Sequence, residues 1–252
     1  MSRLPEEGPP NFEVRVLPDA QEAARATALE VFHAAGDAIG NRGVFSIALS
    51  GGTTPVRLFR ILAGHPFRDR PEWDRTRFFF VDERCVPPDH ERSNYRLVRE
   101  HLFDPLGVPA EHVFRMRGED EPAAAARAYE DVLTREFGSV SPVPQLDFSL
   151  LGVGGDGHTA SLFPGTTALE ERERLVSANW VPKFNEWRLT LTLPVLNASR
   201  RAVFLVTGAE KSGVVASAVE RKKGSHDLPA SLVRPERGSL IWILDEAAAA
   251  GL

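Results

Sequence analysis

Six short apolar runs punctuate the chain, with helix-forming sequence between most of them, and this alternation restricts the fold more than any other feature. The runs are FEVRVL (12–17), VFSIAL (44–49), RFFFV (77–81), LDFSLLGV (146–153), RAVFLVT (201–207) and SLIWIL (239–244). Their length and their β-branched or aromatic content predict strands. RLVSANW (174–180) and RLTLTL (188–193) predict two more. Asp19 and Glu22 have capping-box spacing at the head of a helix that Gly40, Asn41 and Gly43 are expected to stop. Thr54-Pro55 opens a second helix, with proline in its first turn. Residues 93–103, 121–137 and 209–222 predict further helices, and the tail EAAAAGL is either frayed or a short helix. Strands alternating with helices predict an α/β fold: one mostly parallel sheet, closed by SLIWIL, with helices on both faces. Gly138–Pro144 is the best candidate for a boundary, yet the next strand is expected to rejoin the same sheet. The expected organisation is a flexible segment 1–11 followed by a single α/β domain over 12–252.

Composition narrows the function classes. A hydrophobic content of 42% is enough for a real core. A formal net charge of −5 argues against generic nucleic-acid binding, which needs a basic face, but leaves room for a local basic pocket. One cysteine, Cys85, excludes an intrachain disulfide and suits a reducing compartment. No apolar run approaches the ~18–20 residues that span a bilayer. The start, MSRLPEEGPPNF, lacks the apolar stretch of a secretory signal. A cytoplasmic protein without membrane contact is expected. A monomer is the simplest expectation, although no feature of the sequence sets the oligomeric state.

Four polar clusters each follow a predicted strand: Ser50-Gly51-Gly52-Thr53-Thr54, Asp82-Glu83-Arg84, Gly154-Gly155-Asp156-Gly157-His158, and Thr207-Gly208-Ala209-Glu210-Lys211. In an open parallel sheet ligands bind beyond the carboxyl ends of the strands, so the four clusters are expected to meet. In SGGTTP two glycines allow close backbone approach, and the helix that follows offers free N–H groups to a phosphate. The turn is no Walker loop, because no G-K-[ST] ends it. It is no nucleophile elbow either, because Ala48 fills the first glycine position of G-x-S-x-G. Lys211 lies near a helix start, where a bound anion would relieve its conflict with the dipole. Arg84 either grips a phosphate or carboxylate bidentately or pairs with Asp82 or Glu83.

Gly152, Gly154 and Gly157 also match the dinucleotide fingerprint G-x-G-x-x-G. That fold needs an acid at the end of the next strand, and Glu170, Glu171 and Glu173 fall before a strand instead. Asp156 would moreover repel a pyrophosphate. A reacting loop suits these residues better. His158 can take a proton near neutrality, and Asp156 can orient the imidazole, raise its basicity or hold a water. Neither a metal nor a cofactor is expected, since no H-x-x-x-H or cysteine pair supports His158 with Asp82 or Glu83 as ligands. Cys85 has no nucleophile motif around it and is read as an inert thiol.

SGGTTP, FFFVDERCVPPDHERSNYRL, LDFSLLGVGGDGHTASLFPG, VTGAEKSGVV and DLPASLVRP, in this order, resemble the 6-phosphogluconolactonase family over residues 12–244. The resemblance implies a modified Rossmann-like α/β fold related to glucosamine-6-phosphate deaminase and ribose-5-phosphate isomerase. It implies cofactor-free hydrolysis of the δ-lactone of 6-phosphogluconate in the oxidative pentose phosphate pathway, with that small sugar-phosphate lactone as the partner. Carried over residue by residue, it makes His158 the general base and Asp156 its support. Arg84 and Lys211 would bind the phosphate together with the turn Ser50, Gly51, Gly52 and Thr53. Asp82, Glu83 and Asn94 would shape the sugar site. The related deaminases continue their D-G-H loop with Asn-Glu-Pro, where this chain has Leu162-Phe163-Pro164. A sugar-phosphate-sensing effector domain is the alternative of another class. It would need a helix-turn-helix, for which residues 1–11 are too short.

Overall fold

The computed structural model describes residues 11–138, 142–220 and 228–252. Six strands form a parallel sheet: β1 (Phe12–Leu17), β2 (Phe45–Leu49), β3 (Thr76–Phe80), β5 (Phe148–Leu151), β8 (Arg201–Val206) and β9 (Ser239–Asp245). Their order is β1-β9-β8-β5-β2-β3. Every residue of β2 and β5 is buried, which is why these strands read as unbroken apolar runs rather than alternating ones. SLIWIL does not close the sheet. It lies inside, between β1 and β8, because both of its faces are apolar and buried. The edge is the more polar FEVRVL, whose Phe12 and Val16 stay 40% and 50% exposed. The other edge strand, β3, is covered where Phe114 donates its N–H to the Phe78 carbonyl at 2.8 Å.

The strands form two sheets, where a single sheet is expected from the sequence. RLVSANW and RLTLTL supply β6 (Val176–Val181) and β7 (Glu186–Leu191) of a separate antiparallel sheet, which Asp82–Arg84 joins as β4 in the order β4-β7-β6. Val81 joins the two sheets: its N–H donates to Leu49 of β2, and its carbonyl accepts from Leu191 of β7. The small sheet is thereby fixed at the carboxyl edge of the large one.

Helix α1 (Ala20–Arg42) begins where Asp19 accepts the N–H groups of Gln21 and Glu22 at 2.7 and 2.9 Å. It passes through Gly40 and Asn41 and stops only at Gly43, which takes the left-handed cap conformation. It packs across β9, β2 and β8. Helix α2 is Thr54–Leu62 and α3 is Asn94–Val98. The predicted helix 93–103 is not uniform: α3 widens into a π turn over Arg99–Phe103 and ends as α4 (Asp104–Leu106), with proline 105 in its first turn. Helix α5 (Pro122–Phe137) is tied to the small sheet through Glu130, which accepts the Leu175 N–H at 2.8 Å. Helices α6 (Leu193–Ala198), α7 (Ser212–Glu220) and α8 (Glu246–Ala249) complete the described chain. The strand after residue 144 does rejoin the large sheet, between β2 and β8. The expected flexible segment, apart from Asn11, lies outside the described residues, as do 139–141 of the candidate boundary, Asp227 of DLPASLVRP and the end of the helix expected to run to 222.

The core is aromatic. Trp242 stacks on Phe204 at 4.1 Å, and Tyr129 is fully enclosed, accepting from the Phe80 N–H and donating to the Phe114 carbonyl. At the amino edge of the sheet Asp147 holds β2 and β5 in register. Its carboxylate accepts from the Ser46 N–H and hydroxyl and pairs with Arg42 and Arg200.

Candidate active site

The strands that carry the four polar clusters are β2, β3, β5 and β8, and these are neighbours in the order β8-β5-β2-β3. Sheet topology therefore brings the clusters to one edge. They enclose a cavity of about 290 Å³ lined by Ser50, Gly51, Gly52, Thr53, Asp82, Arg84, Asn94, His158 and Lys211. All the expected site residues lie on its wall except Glu83 and Asp156, which stand behind it.

Glu83 is a correction. Its carboxylate faces inward, where it accepts from the N–H groups of Arg84, Asn94 and Tyr95 and from the Ser93 hydroxyl. Burial pushes its pKa up, and the three backbone donors pull the other way. It organises the start of α3 rather than facing a ligand. That start is what presents Asn94, whose Nδ2 donates to the Asp82 carboxylate at 3.1 Å. Gly51 has to be glycine here, since a Cβ on it would lie 1.7 Å from Asn94 Oδ1.

In the D-G-H loop, Asp156 Oδ1 meets His158 Nδ1 at 2.5 Å. With the ring proton on Nδ1 directed to the carboxylate, the lone pair of Nε2 is left as the base. Phe163 stacks on the imidazole at 4.1 Å. Burial lowers the His158 pKa from its ordinary 6.5, against the opposing pull of Asp156 and Asp82, which favours the neutral ring at pH 7. For Asp156, burial alone would raise the pKa, but hydrogen bonds from Lys183 and His158 hold it well below the usual carboxylate range. Gly154 makes room for the ring: a Cβ there would meet His158 Nδ1 at 2.0 Å. No helix follows this loop, so the helix N-terminus that a dinucleotide fingerprint requires is missing, and that reading fails. The loop instead turns back to the small sheet, where Ser161 donates its hydroxyl to Asp82 at 2.7 Å.

Across the cavity the charge balance is positive. Arg84, Arg188 and Lys211 face Asp82 and Glu210 on its wall. Arg84 makes no ion pair with Asp82 or Glu83. One guanidinium nitrogen donates to the Arg92 carbonyl at 2.6 Å, and its Nε is buried without a partner. The start of α2 is open as well: Thr53 makes no side-chain cap, whereas Asp19, Ser93 and Glu121 cap α1, α3 and α5. An uncapped helix start, an arginine with no acidic partner among the described residues and a lysine line this one cavity, and each suits an anion. Arg188 was missed from the sequence. It sits directly opposite Arg84 in the β4–β7 register and is tied through Nε to Glu186 at 2.6 Å. Its signal was present in RLTLTL, where Arg188 falls in phase with the buried Thr190 and Thr192.

Cys85 is no nucleophile, because burial pushes its thiol up to about 12, with Glu83 adding to the effect. Among the described residues no group of three His, Cys, Asp or Glu side chains is placed to hold a metal ion, and no helix is long and apolar enough to cross a membrane.

Known proteins are similar to this chain over most of its length. Residues 18–242 match the family described as glucosamine-6-phosphate isomerases/6-phosphogluconolactonase. A 6-phosphogluconolactonase of Nostoc sp. is 39% identical over 95% of this chain and 98% of its own. That of Homo sapiens is 40% identical over 94% and 92%. The solved 6-phosphogluconolactonase from Trypanosoma brucei, 29% identical, superposes with a TM-score of 0.83 over 96% of this chain and 99% of that one. The chain belongs to the family of glucosamine-6-phosphate isomerases and 6-phosphogluconolactonases.

Proposed function

We propose that this protein hydrolyses 6-phospho-D-glucono-1,5-lactone to 6-phosphogluconate, the lactone-opening step of the oxidative pentose phosphate pathway. The observation that carries this reading is one cavity holding an Asp-oriented neutral imidazole together with an anion site. The substrate phosphate sits on Lys211, Arg84 and the Ser50–Thr53 turn at the open end of α2. Asp82 and Asn94 face the sugar hydroxyls. His158 Nε2 removes a proton from a water as that water attacks the lactone carbonyl, and Asp156 stabilises the imidazolium that forms. The carbonyl oxygen gathers negative charge near Arg188 and the N–H groups of the glycine turns. On collapse of the tetrahedral intermediate the ring C–O bond breaks, and the proton on His158 passes to the departing oxygen. No metal or organic cofactor takes part. The protein works as a single α/β unit and a monomer on a diffusible substrate in the cytoplasm, without nucleic acid.

Phe163 favours hydrolysis over the deaminase chemistry of the family's other branch. The position where deaminases carry the glutamate of Asn-Glu-Pro is here an aromatic ring stacked on His158. The test is acid release from freshly generated 6-phosphogluconolactone, corrected for the spontaneous rate, with EDTA present. The wild-type protein is expected to accelerate release and His158→Ala to lose most of that acceleration. Ammonia released from glucosamine 6-phosphate would replace this reading with the deaminase one.

A further inference from the structure

The hairpin joining β6 and β7 turns tightly over Val181–Asn185. Phe184 donates its N–H to the Val181 carbonyl, Asn185 donates to Pro182, and Asn185 takes a left-handed φ of 52°. The two residues at its tip reach the D-G-H loop by separate routes. Lys183 Nζ donates to Asp156 Oδ2 at 2.7 Å, while the other oxygen of that carboxylate holds His158. Phe184 lies edge-on to Phe163 at 5.8 Å, and Phe163 stacks on the imidazole. Neither tip residue lines the cavity, so each acts through the loop and not on the ligand.

We propose that Lys183 is a positioning residue for the hydrolysis: by holding Asp156 Oδ2 from the opposite sheet, it locks the carboxylate with Oδ1 on His158 Nδ1 and keeps Nε2 turned to the cavity. This rests on the hydrolytic reading of His158. An aspartate in a glycine-rich turn otherwise has a broad terminal torsion, and a carboxylate free to rotate fixes no tautomer. The lysine comes from the antiparallel sheet and the loop from the parallel one, so the bond spans the junction between the two sheets. The cation also offsets the charge that Asp156 applies to the ring. The other charged groups near the ring are Asp82 on β4, which favours the imidazolium, and Arg188 on β7, which opposes it. Arg84, Glu210 and Lys211 share the cavity. Lys183 is 58% exposed, and an ion pair that open contributes little to folding, so a change in catalysis on its removal reports on the site.

The experiment compares wild type, Lys183→Met, Lys183→Arg and His158→Ala on fresh 6-phosphogluconolactone from pH 5 to 8, with the His158 ring titrated by NMR. Lys183→Met is expected to lose about tenfold in kcat with KM nearly unchanged, as misoriented bases do. The acidic limb of its pH profile and the ring pKa should both rise by roughly half a unit, as expected when a cation near the pair is removed. Lys183→Arg should recover most of the rate. An unchanged kcat and limb in Lys183→Met, a loss confined to KM, or no recovery with arginine would overturn the role of Lys183. Full activity in His158→Ala would overturn the hydrolytic reading itself, which keeps the two failures apart.

Discussion

Replacing Asp156 with asparagine probes the catalytic pair with almost no change in shape. The amide can face the site in two ways. With its oxygen toward His158 it still accepts from Nδ1–H, but its NH2 group then points at the Lys183 ammonium, donor against donor. With its NH2 toward the ring, Nδ1 must become the acceptor, the proton moves to Nε2, and the base is gone. Either way the imidazolium of the transition state loses a charged partner at 2.5 Å. Hydrogen bonds to charged groups contribute about 1.5–3 kcal/mol, and the poor second contact adds about 1 kcal/mol. At about 1.4 kcal/mol per factor of ten, kcat should fall roughly 10²–10³-fold. KM should stay within about threefold, because the anion site is untouched. The assay is proton release in weakly buffered solution with the spontaneous rate subtracted. If Asp156→Asn keeps more than a third of the wild-type kcat, Asp156 does not set the state of His158 and the mechanism fails.

Other perturbations test separate parts of the site. Gly154→Ala puts a Cβ 2.0 Å from the His158 ring and should cost at least about 10²-fold in kcat, with substrate binding retained, as initial rates will show. Arg84→Ala and Lys211→Ala should act mainly on KM, and inorganic phosphate should inhibit the wild type more strongly than either variant in a competition assay. Because burial lowers the His158 pKa, kcat/KM should be flat above about pH 6.5 and fall only as acid protonates the ring. The same depressed pKa makes its contribution to stability fully present above 6.5 and lost as pH falls through the folded value, which urea midpoints across this range will measure. Far from the site, Asp147→Ala leaves the buried Ser46 donors without their acceptor, while Arg42 and Arg200 can turn to solvent, and should cost about 1–3 kcal/mol in urea unfolding, with the activity of the folded fraction unchanged.

The parallel core was legible in the sequence because β2, β5, β8 and β9 are buried on both faces and stand out as apolar runs bounded by glycine or polar residues. The meeting of the four clusters was legible for the same reason, since a parallel sheet sends every strand end to one side. Membership of the second sheet was not. Asp82–Arg84 is three residues long and polar, and only its pairing with β7 makes it a strand. Glu83 looked like a ligand-facing acid because nothing local announces that its carboxylate will be used up by the backbone of residues 94 and 95, eleven positions on and more. Lys183 left no local trace at all: it lies 27 residues from Asp156, and its contact exists only because one sheet folds over the edge of the other.

In the proposed mechanism the imidazole and the cationic anchors bind opposite ends of the same molecule. A crystal structure with 6-phosphogluconate bound tests it directly. The phosphate is expected on Lys211, Arg84 and the N–H groups at the start of α2, with the C1 carboxylate within hydrogen-bonding reach of His158 Nε2. A phosphate seated against His158 with C1 at the start of α2, or a ligand bound outside this cavity, would contradict it.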